Sequence, residues 1–268
     1  MPEKPSFLLV NDDGIVAPGL QALADALSGL GSLTIVAPEK ERSATGHAIT
    51  LHDVIYPRKY YKNGKFFGIA ISGMPADCSK FALHKLMKKL PDLVISGINL
   101  GSNTGYNVLY SGTVAAAAEG TIMGIPSLAV SLTTYVDPHF EPAQIFIRHV
   151  VEKILEKGLP KGVLLNINVP NVCSLSDIQG VEITRQGSAQ WREIFVERIN
   201  PKQEPYYWLS GEKVAGTEAA ETDEAAILEQ KISITPLKFD LTDIKALSSL
   251  KSYGFNLYSE EARDKTVS

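Results

Sequence analysis

The chain has 268 residues, 44% of them hydrophobic and 21% charged, a balance that supports a sizeable buried core and excludes the intrinsically disordered class. A formal net charge of −4 gives the surface as a whole no attraction for a polyanion, so nucleic acid is not an expected partner and any phosphate recognition has to be local. Two cysteines, Cys78 and Cys173, lack CxxC spacing and five histidines lack HxxxH spacing, which argues against a disulfide framework or a zinc site.

In chain order, "MPEKPS" precedes only four apolar residues, too short a run for a signal peptide, and no stretch reaches the roughly 18 apolar residues of a membrane span. A soluble, cytoplasmic protein with no membrane partner is expected. "FLLV", then "GLQALADALSGLG", then "LTIVAP" read as strand, helix and strand, a βαβ unit. In "VIYPRKYYKNGKFFGIAIS" the pair Asn63-Gly64 separates two β-rich arms and predicts an antiparallel hairpin, inserted or at a sheet edge.

A helix is predicted from about Pro75 to Lys88, followed by the strand "PDLVISG", the small-residue helix "SGTVAAAAEGTIMG" and the strand "PSLAVSL". "FEPAQIFIRHVVEKILEKG" has apolar residues at helical spacing and a Lys157-Gly158 ending, and the strand "GVLLNINVP" follows it. Beyond about residue 175 the pattern turns β-rich, with "GVEITRQ", "WREIFVERI", "PYYWLSG" and "KISITPL", an acidic stretch "GTEAAETDEAA", and a last helix near Leu241 to Leu250. The expected architecture is therefore α/β, with a parallel-sheet core over residues 1–175 and a β-rich accessory region over 176–268 that packs on it and carries an extended hairpin. Aromatic residues Trp191, Phe195, Tyr206, Tyr207 and Trp208 on that hairpin suit either an oligomer interface or a cover for the main sheet.

Ligands of an open parallel sheet bind beyond the carboxyl ends of its strands. Three oxygen-rich loops follow the first strands: Asn11-Asp12-Asp13-Gly14, then "EKERSATGHAIT", then "SGINLGSNTGYNVLYSGT". Two adjacent carboxylates in a tight turn repel one another unless a cation or hydrogen bonds compensate. With the neutral donors Ser43 and Asn99 they form the hard, all-oxygen set that suits Mg²⁺, Mn²⁺ or Ca²⁺. Each residue also has a plainer reading: Asn11 or Asp12 as a turn cap, Asn99 as an Asx turn, Ser43 as a helix cap or exposed hydroxyl. Ser111-Gly112-Thr113 opens an alanine-rich helix, where free N–H groups, the helix dipole and two hydroxyls would hold a phosphate, or where Ser or Thr simply caps the helix. Gly101, Asn103 and Gly105 just upstream would let a ligand approach the backbone closely.

"LLVNDDG", "APEKERSATGHAIT", "VISGINLGSNTG" and "YSGTVAAAAEG", in that order, resemble the SurE (survival protein E) family of metal-dependent nucleoside monophosphate phosphatases. The likeness extends to "GMPADCSKFAL", "LLNINVP" and "ISITPL" and loosens only between about residues 185 and 230. It implies a Rossmann-like core with helices on both faces, a β-rich C-terminal part through which subunits associate as a homodimer or homotetramer, and a 5′/3′-nucleotidase activity. A side activity on short polyphosphate belongs to the same expectation. By the same match Asp12, Asp13, Ser43 and Asn99 would hold one divalent ion per subunit, Mg²⁺ or Mn²⁺. Asn11, Asn103, Ser111, Gly112 and Thr113 would receive the phosphate of the nucleoside monophosphate. Where many members carry an acid two residues after the second glycine of the loop, this chain has Asn107.

The expected reaction is attack of a metal-activated water, with Asp12 or Asp13 orienting it or taking its proton. Phosphoacceptor receiver domains also place two acids after their first strand, but they need an aspartate at the tip of the third, and the segment here reads "AISGMPAD".

Overall fold

The computed structural model describes residues 4–188, 191–213 and 219–255, the side chains of Trp191, Glu212 and Lys213 excepted. The continuous apolar run of the first strand, β1 (Ser6–Val10), is explained by burial on both sides. Phe7 and Leu9 enter one core with Leu20, Leu23 and Leu27 of α1 (Pro18–Leu27) and Ile147 and Val151 of α4 (Glu141–Lys157). Leu8 and Val10 enter a second core with Cys78 of α2 (Pro75–Phe81) and Ala116 of α3 (Gly112–Ile122). Helices thus cover both faces of the sheet, as the strand–helix alternation predicts.

The remaining strands are β2 (Ser32–Pro38), β3 (Pro57–Lys62), β4 (Lys65–Ile71), β5 (Leu93–Leu100), β6 (Ser127–Leu132), β7 (Leu164–Val169), β8 (Val181–Ile183), β9 (Trp191–Ile199), β10 (Pro205–Lys213) and β11 (Ile232–Leu237). Eight of them join β1 in one nine-stranded sheet among the described residues, in the order β3-β4-β2-β1-β5-β6-β7-β11-β8. From β4 to β7 all neighbours are parallel, while β3 and β11 join antiparallel. The chain leaves β1 for β2 on one side and returns on the other as β5, so the order reverses between β1 and β5. That reversal is the topological switch point, where a crevice opens beyond the strand ends.

Asn63 and Gly64 take positive φ, 50° and 76°, as a tight hairpin turn requires, and β3 ends at the sheet edge. The helix read as running from Pro75 to Lys88 departs from α-helical form after Phe81: Ala82–Leu86 is a π-helical turn, with the Met87 amide donating to the Ala82 carbonyl. The acidic stretch, which carries no helical expectation, holds a short helix, α5 (Asp223–Leu228), capped by the Thr222 hydroxyl, although its first residues lie outside the described ones.

Among the described residues β9 and β10 pair only with each other. Phe195, Tyr207 and Trp208 on this hairpin are exposed; the Trp191 side chain lies outside the described residues. The chain divides into two compact units, Met1–Leu237 and Lys238–Ser268. The second contains α6 (Ile244–Lys251), whose first turn is capped by the Asp243 carboxylate accepting from the Lys245 and Ala246 amides.

Candidate active site

β1 delivers the chain into an acidic turn that Asn11 closes. Its side-chain amide donates to the Gly14 carbonyl at 2.9 Å and accepts from the Gly14 amide at 3.2 Å, so both ends of the group are spent on the turn. Gly14 has φ 100°, a conformation that suits glycine. The loop after β2 lies against this turn, and the Arg42 amide donates to the Asp12 carbonyl at 2.8 Å.

The two aspartates then face different elements. Asp12 reaches the first turn of α3, where the Thr113 hydroxyl donates to it at 2.5 Å and the Thr113 amide adds a second bond. Gly112 makes this approach feasible: a Cβ there would lie 2.8 Å from the Asp12 Cβ. Asp13 takes a bond from the Leu100 amide, one residue beyond Asn99 at the end of β5. Burial pushes the Asp12 carboxyl up from its ordinary range against the pull of Thr113, with Glu41 adding repulsion. Asp13 is pushed up to about 7 by burial first, then by the charges of Asp12 and Glu41.

Asp12, Ser43, Asn99, Asn103, Asn107 and Ser111 line one cavity of about 650 Å³, a volume in the range that holds small ligands. Ser43 donates its hydroxyl to Glu41 at 2.7 Å. The Asn99 amide nitrogen donates to the Gly101 carbonyl at 2.7 Å, which leaves its oxygen as the atom for a cation. Asn103 is fixed by its backbone and its side-chain nitrogen: the backbone amide donates to Asn168, the side-chain amide to Ser131, and the backbone carbonyl accepts from Asn166 and Asn168. The Ser111 hydroxyl caps α3, accepting from the Val114 amide at 3.1 Å. Of the expected phosphate nest, then, Ser111 serves as a helix cap on the cavity wall, Gly112 makes room for Asp12, and Thr113 holds Asp12.

Several contributors escaped the sequence reading. Glu41 is a third acid beside the pair, visible in "APEKERSATG" only as one charge among several. Tyr135, Glu193 and Leu209 add to the cavity wall, the last two from the β9–β10 hairpin. Fully buried Asp223 accepts from the Gly105 amide at 3.0 Å and the Gly187 amide at 2.8 Å, while Gln186 donates to the Gly105 carbonyl at 2.8 Å. Burial pushes the Asp223 carboxyl up, against these amide bonds. Nothing in an acidic run signals that Asp223 and its neighbour Glu224 fold inward.

Among the described residues no group of three or more His, Cys, Asp and Glu side chains forms a metal cage. A divalent ion nonetheless fits the donor set. Two adjacent acids, Asp12 buried and Asp13 half-buried, both held above their ordinary range, gain from a cation, and the Asn99 amide oxygen and the Ser43 hydroxyl supply hard neutral donors on the cavity that Asp12 lines.

A doubly wound sheet with an acid pair at its switch point, backed by a helix N-terminus, defines an α/β protein with a ligand site for a cation and an anionic group. Comparison with known proteins gives the family: the model described as Survival protein SurE matches residues 7–193, and this chain belongs to that family. It is 45% identical over 251 residues to a protein named 5′-nucleotidase SurE from Chlorobium phaeobacteroides, covering 94% of this chain and 97% of that one. It is 47% identical to the protein of the same name from Syntrophus aciditrophicus, covering 92% of each. The crystal structure of the SurE protein from Aquifex aeolicus superposes with a TM-score of 0.81 at 38% identity, covering 93% of this chain and 99% of that one.

Proposed function

We propose that this chain is a divalent-metal-dependent nucleotidase that hydrolyses nucleoside monophosphates to nucleoside and phosphate. The observation that carries the reading is the junction of Asp12 with the N-terminus of α3, on a cavity shared with Ser43 and Asn99, in a chain whose curated relatives are named 5′-nucleotidase. Asp12, Asp13, Ser43 and Asn99 would hold the ion, which when bound supplies charge neutralisation at the phosphoryl oxygens and a lowered pKa for water. Thr113 orients one oxygen of Asp12. Asp13, less buried and outside the reach of that hydroxyl, is our candidate to take the proton of the attacking water. Gly112 lets α3 meet the acid turn closely, so that the positive end of the helix dipole would stabilise charge on a phosphoryl group bound in the cavity.

Both 5′- and 3′-monophosphates, and short polyphosphate, are within the proposal, as are Mg²⁺ or Mn²⁺ as the ion. We also propose a cytoplasmic setting, supported by two free cysteines, and note that among the described residues no helix is long and apolar enough to cross a membrane. A homodimer or homotetramer formed through residues 176–268 is supported by the exposed Phe195, Tyr207 and Trp208 on a hairpin that forms its own two-stranded sheet among the described residues. A panel of nucleoside 5′- and 3′-monophosphates and tripolyphosphate, assayed for phosphate release with Mg²⁺, Mn²⁺ and chelator, tests enzyme class, substrate and ion together. Release that persists undiminished in chelator would overturn the metal assignment.

A further inference from the structure

Ser43 stands in a long loop between β2 and β3, and that loop has no regular structure of its own to fix it. Before Ser43 the loop is tied down by the Arg42 amide on the Asp12 carbonyl and by the Arg42 guanidinium on the Ser72 carbonyl at 3.0 Å. After Ser43 the chain passes through Ala44 at φ 56° and is tied down again at Gly46, whose amide donates to the Tyr110 carbonyl at 2.9 Å. The next residue, His47, makes a side-chain anchor to a charged group of the core: its Nε2 lies 2.7 Å from Oε1 of Glu119 on α3. The other carboxylate oxygen of Glu119 is 2.8 Å from Lys80 Nζ on α2. Further along, the Thr50 amide donates to the Asp77 carboxylate, also on α2.

Glu119 is buried in the face of α3 that packs on the sheet side of α2, and a carboxylate there is costly unless cations meet it. Burial works to raise its pKa and is outweighed by the bonds from His47 and Lys80, which hold the carboxyl below its ordinary range. Its position on α3 matters as much as its charge. The first turn of that helix holds Asp12, and Glu119, two turns further along, holds the loop that carries Ser43. One rigid helix therefore references both the acid pair and the neutral donor.

Resting on the metal reading above, we infer that the His47–Glu119 pair forms a positioning latch that fixes the Ser43 loop over the acid turn, while Lys80 meets the other oxygen of Glu119 and stands outside the latch. His47 touches neither the proposed ion nor the substrate; it acts through the loop. The latch predicts that His47→Ala loosens residues 43–50 and weakens Mn²⁺ binding, and that His47→Gln, whose amide still donates to Glu119, restores both. Lys80→Ala removes a cation from the same carboxylate without touching the loop, and it separates a latch from general stability.

The test is amide exchange of the metal-free protein together with Mn²⁺ titration without substrate, on the wild type and these three variants. His47→Ala is expected to speed exchange of residues 43–50 and raise the Mn²⁺ dissociation constant, each about tenfold. His47→Gln stays within about threefold of wild type in both, and Lys80→Ala lowers the melting temperature while leaving both within about twofold. Wild-type exchange in His47→Ala, or equal effects of His47→Ala and Lys80→Ala, overturns the latch. A wild-type protein that binds no Mn²⁺ overturns the metal reading instead, and the exchange comparison still decides the latch.

Discussion

Thr113 donates its hydroxyl to Asp12 at 2.5 Å, across 101 positions of sequence. This bond ties the acid turn after β1 to the helix whose N-terminus faces the same cavity, and it assigns one Asp12 oxygen a donor before any ligand enters. Removing the hydroxyl while keeping the branched shape tests it. Thr113→Val should lower phosphate release by about 10- to 100-fold, the scale of one charge-assisted bond lost from a site, while Thr113→Ser keeps most of it. Steady-state kinetics of both variants check this, and equal activity of the two would dismiss the bond.

Gly112 is the position where the smallest substitution should do the most. A methyl group there would meet the Asp12 Cβ at 2.8 Å and Pro75 Cγ at 2.9 Å, neither of which is the free end of a flexible chain. Gly112→Ala is expected to destabilise the fold by about 1–3 kcal/mol through overpacking and to displace Asp12, lowering activity together with stability. Urea unfolding midpoints and phosphate release on the same preparation provide the check.

Asp13 has a pH signature in the metal-free protein. Its folded-state pKa, about 7, lies above the ordinary 3.8, so the folded form binds the proton more tightly than the unfolded one. Its contribution is therefore most favourable at low pH and is lost as pH rises from about 4 to about 7, a loss of roughly 3–4 kcal/mol. Asp13→Asn should flatten that slope and stabilise the protein at pH 8 in chelator, while abolishing stabilisation by added Mn²⁺ or Mg²⁺. Denaturant midpoints at pH 5 and pH 8 measure it; a variant less stable than wild type at pH 8 in chelator would count against the assignment.

Asp223 acts at a distance from the cavity by holding the Gly105 and Gly187 amides. Asp223→Ala leaves both buried donors without an acceptor, a cost of about 2–5 kcal/mol. Because Gly105 follows the glycine-rich stretch of the cavity wall, the Michaelis constant should rise as well. Asp223→Asn keeps one carbonyl oxygen as acceptor and is expected to fall between. Thermal unfolding and kinetics of the pair distinguish anchoring from bulk stability.

What was legible follows from what a sequence pattern encodes. β1 and β5 announce themselves as apolar runs, α4 as a helical stripe ending in glycine, and the Asn63-Gly64 turn as a pair that tolerates positive φ. That Asp12, Ser43 and Asn99 line one cavity follows from strand ends in a doubly wound sheet sharing an edge, whereas Asp13, the fourth expected ligand, is not among the residues lining it. Less legible were features set by direction rather than by type. Nothing in "YSGTVAAAAEG" tells whether the Thr113 hydroxyl serves a ligand or Asp12, and nothing in "NDDG" tells that Asn11 spends its amide on Gly14. The π-helical turn after Phe81 and the inward Asp223 depend on packing between segments far apart in the chain. The hairpin was legible as a hairpin, but its share in the cavity wall through Glu193 and Leu209 was not.

The acceptor for the Gly105 amide lies 118 residues later in the chain. During synthesis the strands flanking the switch point are complete long before Asp223 leaves the ribosome, so the sheet has its parts early while the rim of the cavity waits. A nascent or truncated chain that stops short of residue 223 would hold its acid turn, its helix and Asn103 on Ser131, Asn166 and Asn168, with the Gly105 amide still lacking this acceptor. That contact of the cavity rim therefore forms only in a chain translated past the β9–β10 hairpin.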